Sequence, residues 1–467
     1  MKQNRRNFLK VSGLTGIGIA GAGMAGSYAM RPTTQVINTQ SQKFNMSGYA
    51  APKLDNVRIG FIGLGNRGPA AVERMSIIEG VQIKGLCDKQ PDKVNAMKKK
   101  LEGTTHSPDL YTSSEDAWKK MCERDDIDLI YIATPWSLHA PMAVYAMQHG
   151  KHACVEVPAA KTIDECWQLV ETSEKTRRHC MILENCCYDF FELLTLNMNR
   201  QGLFGEIVHG EGAYIHTLID SNFSKTTYSD MWRLKENMRN GNLYPTHGLG
   251  PVAQAMSINR GDKMDYLTSM SGNDFQMAAM ANDLAAKDDF YKPYAGKKYR
   301  GNMNTTVIKT ALGRTIMLQH DVTSPNVYSR IHKISGTKGS ALKYPDPPKI
   351  ALSHEGWLSD EEFKKLQDQY QPPIVKKIGE MAKQVGGHGG MDFLMDWRTI
   401  DCLRNGLPLD IDVYDAALWS SIAPLSEWSV ANRSNSIDVP DFTNGSWKTN
   451  APVDISMQKG GNTKVMK

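Results

Sequence analysis

From Val57 to Leu183 the chain alternates short apolar runs with amphipathic stretches. Val57 to Ile62 reads as a buried strand, and a helical pattern follows from Gly68 to about Ile78. Val81 to Cys87 alternates as a second strand, and Lys89 to Glu102 reads as a helix. Its Lys98-Lys99-Lys100 run fits a solvated face. Asp128 to Ala133 is another apolar strand. A helix from about Ala140 to His149, a strand from His152 to Glu156, a helix from Ile163 to Lys175 and a strand from Cys180 to Leu183 complete the series. Strands alternating with helices predict a parallel, doubly wound α/β sheet.

The rhythm changes after residue 188. A helix from Phe190 to Gln201 leads into a long strand, Glu206 to Leu218. Further strands are expected at Tyr266 to Ser271, Thr305 to Leu312, Thr315 to Val322 and Ser329 to Gly336. Consecutive long strands predict an open, mainly antiparallel sheet in an α+β domain. Helices from about Met391 to Asn405 and Val413 to Asn432 follow. The tail from Ser434 is rich in Asn, Gly and Ser and is expected to wrap the surface. No internal repeat is visible.

The first residues carry a different signal. Asn4-Arg5-Arg6-Asn7-Phe8-Leu9-Lys10 precedes a weakly apolar, Gly/Ala-rich stretch from Val11 to Gly26, and Ser27-Tyr28-Ala29 offers a small-residue cleavage site. A basic start, apolar middle and small-residue end make a secretory signal. The paired arginines before Phe-Leu-Lys resemble the twin-arginine export signal, which implies the twin-arginine machinery as a partner and a periplasmic or secreted destination. The alternative is a basic anchor helix, for which glycine is poor material. The expected organisation is a signal at 1–29, a polar arm at 30–53, a dinucleotide-binding domain at 54–188, a substrate domain at 189–433 and a tail at 434–467.

Composition narrows the class. The 467 residues are 41% hydrophobic and 22% charged, with a net charge of +5. Such a chain is globular, and no apolar run reaches the roughly 18 residues a membrane span needs without many glycines. Lys2, Arg5, Arg6 and Lys10 account for four of the five excess charges. The remainder carries no concentrated basic face of the kind nucleic-acid binders show, so no nucleic-acid partner is expected. Eight cysteines are too sparse for a disulfide scaffold, and most are expected as buried thiols. Cys180, Cys186 and Cys187 lack a companion histidine at zinc-finger spacing, so no metal site is expected.

Gly63-Leu64-Gly65-Asn66-Arg67-Gly68 follows the first strand and opens a helix, and Asp88 ends the second strand. Glycines there permit a tight turn and close approach of backbone N–H groups to a pyrophosphate. Asp88 can accept from a ribose hydroxyl and would repel a 2′-phosphate, so NAD is favoured over NADP. Arg67 blurs that preference. The alternative is a glycine turn that binds nothing.

Further stretches carry a resemblance. Val57 to Gly68, Ala133-Thr134-Pro135 with His139, Gly150-Lys151-His152 through Glu156-Val157-Pro158, and Gly205-Glu206-Ile207 are similar to the glucose–fructose oxidoreductase/inositol dehydrogenase superfamily. That resemblance implies a Rossmann domain followed by an open-sheet domain. Those dehydrogenases have Glu-Lys-Pro where this chain has Glu156-Val157-Pro158, and Val157 cannot move a proton as their lysine does. Trp136-Ser137-Leu138-His139, Glu156-Val157, Leu183 to Tyr188, Trp232-Arg233 and Asn242-Leu243-Tyr244-Pro245-Thr246-His247-Gly248 resemble glycoside hydrolase family 109 more closely.

The second resemblance implies a glycosidase for terminal α-linked N-acetylgalactosamine that uses a recycled NAD. Oxidation at carbon 3 acidifies the proton on carbon 2, the carbon 1 substituent is eliminated, and water adds back with retention before the hydride returns. Two flanking carboxylates, the usual glycosidase device, cannot be picked out of the 50 acidic residues. By resemblance, Asn66, Arg67, Asp88, Trp136, Ser137, Leu138, His139, Glu156, Val157 and Asn185 join the glycines at the cofactor. Tyr214, Arg233, Tyr244, Pro245, Thr246, His247 and Tyr328 join the sugar. Trp136 has core packing as its plain alternative, His139 a helix cap, Tyr214 packing on its strand and Arg233 a surface salt bridge. His247 is the leading acid/base, because an imidazole titrates at about 6.5. Tyr244 and Tyr328 are phenolic helpers. His388, in Gly386-Gly387-His388-Gly389-Gly390, either closes on the site or marks a glycine hinge. An exported sugar oxidoreductase and a non-catalytic NAD- or sugar-binding protein are the competing readings. The superfamily resemblance also implies a homo-oligomer, since an open sheet face there often serves as a subunit interface.

Overall fold

The computed structural model describes residues 41–112 and 114–466. The export signal read at 1–29 and the first part of the arm lie outside the described residues. Six strands form one all-parallel sheet: β1 (Val57–Ile62), β2 (Val81–Cys87), β3 (Asp109–Tyr111), β4 (Leu129–Ile132), β5 (His152–Val155) and β6 (Cys180–Ile182), in the order 3-2-1-4-5-6. That is the doubly wound dinucleotide-binding order. β1 and β4 are buried almost throughout, as strands covered on both faces must be.

The second sheet has eight strands: β7 (Ile207–Ile215), β8 (Met264–Ser271), β9 (Asn304–Thr310), β10 (Thr315–Asp321), β11 (His332–Gly336), β12 (Ser340–Lys343), β13 (Lys349–Ala351) and β14 (Ile437–Asp438). Their order is 13-12-11-7-10-9-8-14. Only β7 and β10 run parallel; every other neighbour is antiparallel. In β9, burial alternates strictly from residue to residue, so one face packs inward and the other is open.

The structure adds elements the pattern does not predict, among them β3, β12, β13 and helices Ala117–Cys122 and Met277–Ala285, and three further features differ. The stretch after Tyr244 forms a helix, Thr246–Ala255, despite Gly248, Gly250 and Pro251. Close packing explains it: a Cβ at Gly248 would lie 2.3 Å from the Ala213 backbone nitrogen, so only glycine lets this helix rest on β7. Helices Asp360–Tyr370 and Pro373–Val385 also form where none was expected, the first capped by a Ser359–Glu362 capping box. The tail does more than wrap the surface. It adds β14 beside β8 and then returns to the parallel sheet, where Glu79 N donates to Lys464 O and Met466 N to Ile77 O.

Helix Met391–Asn405 buries all but its last two residues and packs against β1 and helix Gly68–Ser76, although it belongs to the second half of the chain. It thereby places Asp392 and Asp396 against the glycine loop's helix. The described part of the arm is anchored too: Gln42 Nε2 and Met46 N both donate to the Tyr414 hydroxyl.

Candidate active site

The C-terminal ends of five parallel strands open on one cavity of about 760 Å³, within the usual ligand-pocket range. β1 brings Gly63, Gly65, Asn66 and Arg67. β2 brings Asp88, β4 brings Trp136 to His139, β5 brings Glu156 and Val157, and Asn185 follows β6. This is where open α/β sheets bind ligands.

The loop fits a dinucleotide. Gly63 has φ +92°, and a Cβ there would sit 2.4 Å from Ala133 O. A Cβ on Gly68 would meet Gly63 O at 1.9 Å, so this glycine serves close packing and does not line the cavity. Gly65 faces open space, with Lys93 Nζ at 3.5 Å as the nearest atom to a built Cβ. The Asp88 carboxylate is held in place by the amides of Leu64 (2.7 Å) and Gln90 (2.9 Å), which leaves it lone pairs for a ribose. Arg67 is committed elsewhere: it donates to Glu156 at 3.0 Å and to Asp392 at 3.4 Å. Its charge is therefore shared with two carboxylates. His139 is buried, with each ring nitrogen 2.7 Å from a main-chain carbonyl, of Pro158 and Thr134, so it ties two cavity loops together.

The second sheet and its helices supply the other wall. Tyr214 and His216 come from the end of β7, Arg233 from helix Trp232–Glu236, and Tyr244 and His247 flank the start of helix Thr246–Ala255. Leu243 N donates to His320 Nδ1 and Asn242 N to Ser426 Oγ, which fixes the turn before that helix. The Tyr214 and Tyr244 rings lie 4.4 Å apart, and His247 stands edge-on to Tyr244 at 4.9 Å. Arg233 has no ion pair among the described residues. Its guanidinium sits 5.3–5.4 Å from the ring centres of Trp136, Tyr228 and Tyr244, as a cation in an aromatic box. The surface-salt-bridge alternative therefore falls away. Trp136 is at once a wall of that box and a neighbour of Trp232.

Burial keeps the phenols of Tyr214, Tyr244 and Tyr328 protonated, so they act as hydrogen-bond donors. His216 is held below its ordinary value by burial and by the charges of Arg233, His247 and His388. Its neutral Nδ1, 3.1 Å away, can accept from the Tyr214 hydroxyl. Tyr328 stands at the rim, its ring 4.9 Å from His216, and does not line the cavity. Pro245 and Thr246 do not line it either: Thr246 is buried, with its hydroxyl toward Glu184.

Glu184, to which no sequence motif assigns a role, completes the constellation. It is fully buried, and its two oxygens lie 2.8 and 3.0 Å from His247 Nδ1. Burial works to raise this carboxyl, but the charge and hydrogen bond of His247, the Thr246 hydroxyl and the Cys186 amide together hold it below its ordinary value. A carboxylate on Nδ1 fixes the tautomer and leaves Nε2 for the cavity. Cys186 also lies near this pair, with ligand atoms of all three within 4.8 Å. Burial pushes its thiol up.

A second imidazole reaches the same cavity. His388 has φ +48° between four glycines that all have positive φ, and its side chain is half exposed. Its Nδ1 lies 2.9 Å from Asp392 Oδ2. Burial opposes ionisation of Asp392, yet His388, Arg67 and Arg74 hold it well below the carboxylate range. Asn185 donates to the other Asp392 oxygen at 2.5 Å. All eight cysteines are buried and unpaired.

Comparison with known proteins agrees with both halves. Residues 57–183 match the oxidoreductase family with an NAD-binding Rossmann fold, and residues 188–449 match the glycosyl hydrolase 109 C-terminal domain. An alpha-N-acetylgalactosaminidase of Bacteroides fragilis is 50% identical over 420 residues, covering 88% of this chain and 97% of that protein. One of Shewanella oneidensis is 44% identical over 465 residues, covering 97% and 98%. Among solved structures, levoglucosan dehydrogenase in complex with NADH superposes with a TM-score of 0.61 at 17% identity, covering 83% of this chain and all of that one. Scyllo-inositol dehydrogenase of Lactobacillus casei with bound NAD(H) gives 0.58 at 14%, covering 82% and 99%. These two structures share the fold.

Proposed function

The chain belongs to glycoside hydrolase family 109, and from that premise we propose that it removes terminal α-linked N-acetylgalactosamine from glycans by NAD-dependent oxidation, elimination, addition and reduction, with retention. The observation that carries this reading is the convergence, on the cavity of a dinucleotide loop, of two imidazoles each backed by a carboxylate: His247 on Glu184 and His388 on Asp392. The glycine loop, Asp88, Glu156 and Asn185 would hold NAD, which would supply reversible hydride transfer at carbon 3 of the sugar. His247 Nε2 takes the carbon 2 proton, and Glu184 stabilises the imidazolium that results. His388 gives a proton to the departing glycosidic oxygen and takes one from the entering water. As carbon 3 is oxidised its hydroxyl proton passes through the Tyr214 hydroxyl to the neutral Nδ1 of His216, which returns it on reduction; in between, Tyr214 and Tyr244 donate to the carbon 3 oxygen, where negative charge develops during elimination. Arg233 offers its unpaired charge to a substrate oxygen, and the surrounding rings exclude water.

An oxidoreductase reading is disfavoured by Val157, an apolar side chain on the cavity wall where a proton-moving lysine is expected. The test is release from an aryl α-N-acetylgalactosaminide with no added cofactor. Turnover without net NADH, lost when NAD is stripped and restored when it is returned, supports the proposal. Accumulation of NADH or of a keto sugar contradicts it.

Export by the twin-arginine route to the periplasm or beyond is part of the proposal and rests on Arg5-Arg6 and the residues after them. Replacing both arginines by lysine should hold the precursor in the cytoplasm; unchanged export would count against the route. The open face of the second sheet, where Met270 and Val307 stand exposed, is the surface we propose for self-association, and a monomeric mass in solution would refute it.

A further inference from the structure

Part of the cavity is roofed by a lobe with its own core. Phe223, Met231, Leu234, Met277, Tyr291 and Tyr299 cluster with Ala281 apart from the large core of the rest of the molecule. From this lobe, Thr227, Tyr228, Ser229, Asp230 and Trp232 line the cavity that the glycine loop and Asp88 also line. The lobe meets the parallel-sheet half through two ion pairs of opposite character. Lys161–Glu236, at 2.5 Å, is largely buried, with side chains 21% and 11% exposed. Lys89–Asp230 is open to solvent, at 48% and 67%. Lys89 directly follows Asp88, the ribose-facing carboxylate. In the short helical turn Ser229–Met231, Asp230 and Met231 take φ of +57° and +54°, a conformation that residues with side chains adopt at a cost. The turn sends Asp230 out to Lys89 and Met231 into the lobe's core.

We propose that this lobe is a cap over NAD, pivoting at the buried Lys161–Glu236 pair and latched by Lys89–Asp230, and that the latch sets how long the cofactor stays bound. Because Tyr228 and Arg233 belong to the cap, opening it also dismantles part of the aromatic box. A surface ion pair is weak and salt-sensitive, which suits a latch that must open for loading yet hold through many turnovers. The proposal depends on the chain holding NAD and not on which sugar it cleaves.

The test is a double-mutant cycle on the NAD release rate of purified holoenzyme, followed by transfer of released NAD to a scavenging dehydrogenase. Lys89→Met and Asp230→Asn should each speed release about threefold to fivefold, the scale of a surface ion pair. The double variant should release no faster than either single one. High salt should speed release from the unaltered protein and not from the variants. Both positions are exposed, so melting temperatures should stay unchanged. Release unchanged in the single variants, or additive effects in the double, would overturn the proposal; additivity would mean that Lys89 touches the cofactor independently of Asp230.

Discussion

At His247 the imidazole has one nitrogen committed to a buried carboxylate and one facing the cavity. Glu184→Gln removes the charge that stabilises the imidazolium while preserving shape. kcat should fall by about 10²-fold or more, with KM nearly unchanged, in steady-state assays. A KM effect alone would make Glu184 a packing residue. His388 has a different expected signature. His388→Ala should spare a nitrophenyl glycoside, whose leaving group needs little protonation, and should slow an alkyl glycoside by about 10²-fold or more. Equal losses on both would remove its role as acid. The glycine loop and Asp88 were legible because their chemistry is local: a turn, a helix start and a strand end in fixed order. Glu184 was not, because its partner lies 63 residues away. Two signals point to it: it lies in the Leu183 to Tyr188 stretch that carries the family resemblance, and it follows the last parallel strand, where such sheets place their ligands.

At the scale of elements, the parallel half was readable because β1, β4 and β5 are buried on both faces and their apolar runs leave no alternative. Helix Thr246–Ala255 was hidden because propensity speaks against Gly248, Gly250 and Pro251, and tertiary packing overrides it. Gly248→Ala is a direct check. The added Cβ would fall 2.3 Å from the Ala213 backbone, where nothing flexible can yield. Thermal unfolding should show a loss of about 1–3 kcal/mol, with activity reduced as His247 shifts. A variant as stable as the parent would mean that the helix does not lie this close to β7. Helix Asp360–Tyr370 is hidden in the sequence for another reason. It buries no residue, so hydrophobic periodicity says little, although Ser359 and Glu362 were a legible cap.

Across the whole molecule, the two halves share one core, and titratable groups are buried within it. Burial, reinforced by the charge of Arg178, pushes His179 down to about 4. Between pH 6.5 and 4 the unfolded chain binds a proton there that the native chain does not, so this residue lowers stability as the pH falls through that window. His179→Phe should remove that share. Relative to the parent, the variant should gain about 1.4 kcal/mol per pH unit between 6.5 and 4, read from denaturant midpoints. A parallel pH dependence in both proteins would refute it. No such group can be found from sequence, since burial of one particular histidine is a property of the finished packing.

The most direct measurement of the central claim is hydrolysis of an α-N-acetylgalactosaminide in heavy water, with the released sugar analysed for deuterium at carbon 2. Proton removal at carbon 2 by a group in exchange with solvent, followed by addition of water, predicts deuterium at that carbon, with the original configuration at carbon 1 and no net NADH. A released sugar that keeps its original hydrogen at carbon 2 would mean direct displacement, and would contradict the proposed roles of His247, Glu184 and the bound NAD.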